Sequence, residues 1–200
     1  IVQKDSVLEI VERCKKLNRK TVAGGPLFTS QPENFGQIDH LVLGEGEITL
    51  PLFLKDLALG KAQKVYTTAE RPSITQTPIP LWSLINLKHY VTMLVQYSRG
   101  CPHQCEFCDI VIMNGRIPRL KTPKQLIKEM ETLYQAAWRG AVFIVDDNFI
   151  GNKSEVKRML VYLIAWQKKR NYPFKLLTEA SVLLAQDPEL MDLMRQANFY

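Results

Sequence analysis

Three of the chain's four cysteines, Cys101, Cys105 and Cys108, fall within eight residues, spaced C-x3-C-x2-C. Thiolates this close on one loop can converge on a single metal centre, and they suit zinc or iron–sulfur chemistry. A structural zinc takes four protein ligands. The fourth here would be His103, which lies between two of the cysteines and would have to fold back tightly. A disulfide with one spare thiol belongs to an oxidising compartment. A [4Fe–4S] cluster held by three cysteines leaves one iron without a protein ligand, and a small molecule can chelate that iron. The remaining cysteine, Cys14, sits on the stripe Val7, Ile10, Val11, Cys14, Leu17 and reads as a small buried apolar residue.

Other residues capable of chemistry stand where short apolar strands end. In "VDDNFIG", Asp146, Asp147 and Asn148 close one such strand. The C-terminal ends of strands are where (β/α) folds place function, although these residues would serve equally to cap the next helix. Glu179 and Ser181 in "LTEAS" repeat the pattern more weakly. Upstream, "VAGGP" (Gly24, Gly25, Pro26) and "LGEGE" (Gly44, Glu45, Gly46) follow two more strands. Glycine there lets backbone approach a ligand closely, and a tight strand-to-helix turn asks for the same residue. His40 opens a strand and reads as an ordinary packed or surface histidine.

The elements that must position these residues alternate. The spacing predicts a helix over "DSVLEIVERCKKL", a strand in "KTVAGG", a helical turn at "PENF" and a strand in "DHLVLGEGE". A helix over "ITLPLFLKDLALG" follows, with Pro51 in its first turn. Residues 67–92 carry three prolines, Pro72, Pro78 and Pro80, and no sustained period, which is linker composition. Beyond them come a strand in "TMLVQYS", the cysteine loop, and a helix capped by Thr122 with Pro123 at its first position. Then follow a strand in "GAVFIVDD", a helix to "QKKR", a strand in "FKLLTEAS", a helix opened by Asp187 and Pro188, and the start of a further strand at "QANFY". Strand–helix alternation predicts an α/β fold with parallel sheets.

Composition is that of a globular chain: 46% hydrophobic and 23% charged over 200 residues. No apolar run reaches the roughly 18 residues of a membrane span, and the opening residues lack the order of a secretory signal. A cytoplasmic protein is expected. The net charge of +6 is spread out; the runs "CKKLNRK" and "QKKR" read as solvated helix ends, so nucleic acid is not the expected partner.

The run "CPHQCEFC" resembles the CxxxCxxC signature of the radical S-adenosylmethionine (radical SAM) superfamily, with Phe107 as the aromatic before its last cysteine and "SRGCP" leading in. The resemblance implies a [4Fe–4S] cluster on Cys101, Cys105 and Cys108, whose open iron takes S-adenosylmethionine. It further implies a S-adenosylmethionine site lined by Phe107, Asp146, Asp147, Asn148, Glu179 and Ser181. "VDDNFIG" stands where many members carry a Gly-Gly-Glu run. Residues 1–66 resemble the C-terminal part of a Rossmann-like cobalamin-binding domain, which implies that Gly24, Gly25, Pro26, Gly44, Glu45 and Gly46 lie beside cobalamin. On this reading residues 67–92 are a linker and residues 93–200 the first half of a radical SAM (β/α) partial barrel. The whole is then an internal piece of a longer enzyme, similar to hopanoid methylases in its "DDNFIGN" segment. The implied reaction is methyl transfer to an unactivated carbon of a lipid-like or polycyclic small molecule, with flavodoxin or ferredoxin as electron donor. A radical oxidative cyclase of the porphyrin-ring-forming type, an RNA-modifying radical methylthiotransferase and a non-catalytic zinc-stabilised binding module are the alternatives.

Overall fold

The computed structural model describes residues 3–200; Ile1 and Val2, counted above with the first module, lie outside the described residues. The chain divides into two compact units, Ile1–Pro72 and Ser73–Tyr200. The proline-rich stretch 67–92 falls on both sides of that division. Within the second unit its Ile74 is fully buried, and the Gln125 side-chain amide donates to the carbonyls of Ile74 (3.3 Å) and Thr77 (3.2 Å).

In the first unit, helix α1 (Lys4–Lys16) leads to strand β1 (Val22–Gly24), helix α2 (Pro26–Ser30), strand β2 (His40–Val42), helix α3 (Gly46–Ala58) and strand β3 (Val65–Tyr66). The strands are parallel in the order β1-β2-β3. Every residue of central β2 is buried, because neighbours along a strand point to opposite faces and both faces are covered. Leu41 and Leu43 pack with Val11, Phe28, Phe35 and Ile38; Val42 packs on the other side with Phe53 and Tyr66. Two expectations shift here. Helix α3 begins at Gly46, so Pro51 is its sixth residue and lies past the first turn. Burial of Thr49 and Phe53 on either side holds the helix across the missing N–H. The α1 stripe is only partly covered: Val11 is buried and Cys14 half-buried, whereas Ile10 (57%) and Leu17 (71%) are exposed.

In the second unit, β4 (Thr92–Val95) precedes a hairpin of β5 (Ser98–Arg99) and β6 (Arg119–Leu120) that encloses the short helix α4 (Ile110–Asn114). Helix α5 (Pro123–Gln135), β7 (Ala141–Ile144), α6 (Lys153–Lys169), β8 (Lys175–Thr178) and α7 (Pro188–Gln196) follow. The parallel order is β4-β7-β8, and a parallel bridge from Leu176 to Phe199 starts a further strand at "NFY". Met93, Val95, Val142, Ile144 and Leu176 face the helices and form one core with Leu126, Met130, Val156, Leu160 and Leu163. On the opposite face Leu94 is 52% exposed. The caps are those the residue types predict: Thr122, Asn152 and Asp187 side chains accept from backbone N–H groups at Gln125, Glu155 and Leu190. Among the described residues no helix is long and apolar enough to cross a membrane.

The stretch "TMLVQYS", expected as one strand, is two. The N–H of Val145 makes the last ladder bond to the Val95 carbonyl (2.8 Å). Beyond it the N–H groups of Tyr97 and Ser98 turn to the Asp146 carboxylate, and the chain leaves the sheet for the β5–β6 hairpin.

Candidate active site

The cysteine loop springs from the C-terminal end of β4, beside the C-terminal ends of β7 and β8. Its cysteines are free thiols: Cys101 and Cys108 are half-buried and Cys105 is exposed. Among the described residues no three Cys, His, Asp or Glu side chains are gathered closely enough to hold a metal ion. Between Pro102 and Asp109 the loop has one backbone bond of its own to note, Cys108 N–H to the Cys105 carbonyl (3.1 Å). Phe107 is 91% exposed.

The loop's ends are held far more firmly than its middle. Asp146 is 2% exposed and accepts three bonds: from Tyr97 N (2.7 Å), Ser98 N (2.9 Å) and Ser98 Oγ (2.6 Å). Burial raises its pKa from 3.8 to about 6, against the pull of those donors, with the charge of Asp147 adding to the rise. Asp147 Oδ2 accepts from Gly100 N (2.7 Å) and Asn114 Nδ2 (2.9 Å). Cys101 N donates to the Gly115 carbonyl (3.1 Å), closing the loop on itself. Gly100 has φ +104°, and a Cβ there would lie 3.0 Å from the carbonyl oxygens of Gly115 and Ile117. Only glycine fits that crossing.

Neither aspartate caps α6, which Asn152 caps instead. Both oxygens of Asp146 serve backbone and hydroxyl donors from Tyr97 and Ser98. Asn148 lies differently: its Oδ1 accepts from Ser181 N (3.2 Å), while Asn148 Nδ2 and Ser181 Oγ are buried without a hydrogen-bond partner. A donor and a hydroxyl left unsatisfied at adjacent strand ends suit a polar ligand group. Ser181 makes no capping bond, and Glu179 is exposed, contributing its backbone carbonyl to Phe149 N (2.9 Å).

Sequence reasoning missed Ser98, Gly100, Asn114 and Gly151 as parts of this site. A Cβ on Gly151 would meet Pro102 and Pro118, 3.3 and 3.1 Å away, so the turn after β7 packs directly under the cysteine loop. The glycine in "SRGCP" was the available signal. A buried ion pair, Lys121 Nζ to Glu129 Oε1 at 2.6 Å, fixes the chain where the hairpin returns, and Lys121 N donates to the Tyr97 carbonyl. Burial raises the Glu129 pKa, opposed by the bond and charge of Lys121.

In the first unit Gly24 is explained by its neighbour: a Cβ would stand 2.5 Å from the Val42 carbonyl oxygen of β2. Gly25 (φ +92°) has open space around it and precedes Pro26, the first residue of α2. Gly44 (φ +76°) is held by its N–H to Thr29 Oγ1 (3.0 Å), with Glu45 and Gly46 opening α3.

No protein-family model matches the chain. It is 50% identical over 202 residues to an uncharacterized methyltransferase of Synechocystis sp., an alignment covering all of this chain and 38% of that protein. It is 39% identical over 202 residues to the hopanoid C-2 methylase of Rhodopseudomonas palustris, covering 99% of this chain and 38% of the relative. The chain thus spans about two fifths of the length of these curated relatives. The fold is that of the radical S-adenosylmethionine methyltransferase TsrM from Kitasatospora setae, solved with cobalamin and a [4Fe–4S] cluster bound. The TM-score is 0.77 at 20% identity, over 96% of this chain and 43% of that one. In sequence the chain is similar to these methyltransferases, and in fold to a radical S-adenosylmethionine methyltransferase.

Proposed function

We propose that this chain is the part of a cobalamin-dependent radical SAM methylase that holds the iron–sulfur cluster, S-adenosylmethionine and one side of the cobalamin. The observation that carries the reading is the set of three free thiols, with no fourth, on a loop at the C-terminal end of β4. By type and number they fit a [4Fe–4S] cluster with one open iron. Bound there, the cluster supplies the electron that cleaves S-adenosylmethionine, and cobalamin carries the methyl group. The protein's own share is to hold and shield. Cys101, Cys105 and Cys108 are the cluster ligands, brought together when the loop orders around the metal. Asn148 Nδ2 and Ser181 Oγ, both unsatisfied, hydrogen-bond S-adenosylmethionine, with Glu179, Asp147 and Phe107 at the rim. Gly25, Pro26, Gly44, Glu45 and Gly46 lie beside cobalamin, with open space where Gly25 and Gly46 lack a Cβ, while Gly24 keeps β1 close to β2.

The substrate is a lipid-like or polycyclic small molecule methylated at an unactivated carbon, and flavodoxin or ferredoxin delivers the electron, in the reducing cytoplasm where thiols stay free. The test is anaerobic reconstitution of the full-length protein with iron and sulfide. We expect visible absorption from a cluster and slow release of 5′-deoxyadenosine on reduction, both lost in Cys105→Ala while circular dichroism stays nearly unchanged. A protein that takes up only zinc and releases none is a binding module. A loaded protein that fails to bind cobalamin is an RNA modifier rather than a methylase.

A further inference from the structure

We infer that Asp146 and Asp147 are positioning residues for the cysteine loop: the two carboxylates of "VDDNFIG" pin the backbone just before Cys101 and the end of α4 just after Cys108. The inference rests on the cluster reading above, and it differs from the expectation that these aspartates touch the cofactor.

The three cysteines span eight residues with little secondary structure, and Cys105 is exposed. Such a segment gathers three thiols only if its two ends are already placed, because the metal must then order a short span rather than search with a long one. The ends are placed from the segment that follows β7. Asp146 takes the N–H groups of Tyr97 and Ser98 and the Ser98 hydroxyl; Asp147 takes Gly100 N, one residue before the first cysteine, and Asn114 Nδ2, six residues after the last. Asp147 therefore bridges the two ends of the loop, beside the bond from Cys101 N to the Gly115 carbonyl. Gly151, in the turn that follows, lets Pro102 and Pro118 pack against it. Bonds from backbone and amide donors to a carboxylate are of the stronger, charge-assisted kind, and part burial keeps water from competing.

The experiment uses the full-length protein reconstituted anaerobically, comparing wild type with Asp147→Ala, Asp147→Asn and Asn114→Ala. Iron and sulfide per chain are measured first, then the rate at which a chelator strips iron from the loaded protein, then the paramagnetic signal of the reduced cluster. Losing both bonds that Asp147 Oδ2 accepts, from Gly100 N and Asn114 Nδ2, is expected to speed iron release about tenfold in Asp147→Ala. Asp147→Asn, which keeps one acceptor oxygen, should fall between, and Asn114→Ala should show a two- to threefold effect. Asp187→Ala, which removes a cap on α7, controls for stability: it lowers the unfolding midpoint and leaves iron release unchanged.

If Asp147→Ala does not fold, Asn114→Ala carries the test, since it removes a bond to Asp147 and leaves the carboxylate in place. Iron release equal to wild type in folded, loaded variants overturns the inference and leaves the cluster reading intact. So does an equal acceleration in Asp187→Ala. A wild-type protein that assembles no cluster overturns the cluster reading and this inference together.

Discussion

Burial of the Asp146 carboxylate raises its pKa from 3.8 to about 6 and gives that residue a pH signature. Between those values the folded chain keeps the proton after the unfolded chain has lost it. Stability therefore falls as pH rises from about 4 to about 6 and levels off above. At about 1.4 kcal/mol per pH unit the window is worth on the order of 3 kcal/mol. Urea midpoints of wild type and Asp146→Asn at pH 4, 5, 6 and 7 check this: the variant should lack that decline, and parallel curves would sink it. The residue types were legible beforehand. Two aspartates after an apolar run announced a strand end with a job. Which job was not legible, because partners some 48 residues away decide it: the oxygens take donors at the ends of the cysteine loop, and neither aspartate caps α6.

At the scale of elements, the hairpin β5–β6 and helix α5 are joined by a buried ion pair. Lys121 and Glu129 side chains are 4% and 1% exposed. Removing one partner strands a charge away from water. Glu129→Ala is expected to cost about 3–5 kcal/mol in urea unfolding, whereas Lys121→Met with Glu129→Leu should lie near wild type. A single variant as mild as the double would show that the pair is solvated. Helices were the most legible elements. Thr122 with Pro123, and Asp187 with Pro188, are local start signals whose caps form as their side chains dictate. The two-residue strands β3, β5 and β6 escaped, because a strand this short has no periodicity and exists only through its partner. "TMLVQYS" broke in two for the same reason: nothing within it marks where the sheet lets go, since Asp146 makes that decision from β7.

The whole molecule consists of two parallel-sheet units, and the thread between them is exposed at Glu70. Glu106, between Cys105 and Cys108, is exposed as well. A glutamate-specific protease should therefore cut the metal-free protein early at both places. Cluster assembly is expected to slow the cut at Glu106 by tenfold or more and to leave the cut at Glu70 unaltered, as read by mass spectrometry of timed digests. Equal rates with and without cluster at Glu106 would mean that the loop does not order around metal.

By itself the sequence determined the α/β alternation, the helix starts and the three-thiol donor set, because each is written in neighbouring residues: a period, a cap, a spacing. Only the tertiary structure decided what the strand ends are for. Parallel strands are joined through helices, so residues far apart in the chain become neighbours at one sheet edge. In the second unit the aspartates after β7 hold the cysteine loop, and Asn148 and Ser181 are left together with bonds to make; in the first, Gly24 yields to the carbonyl of Val42.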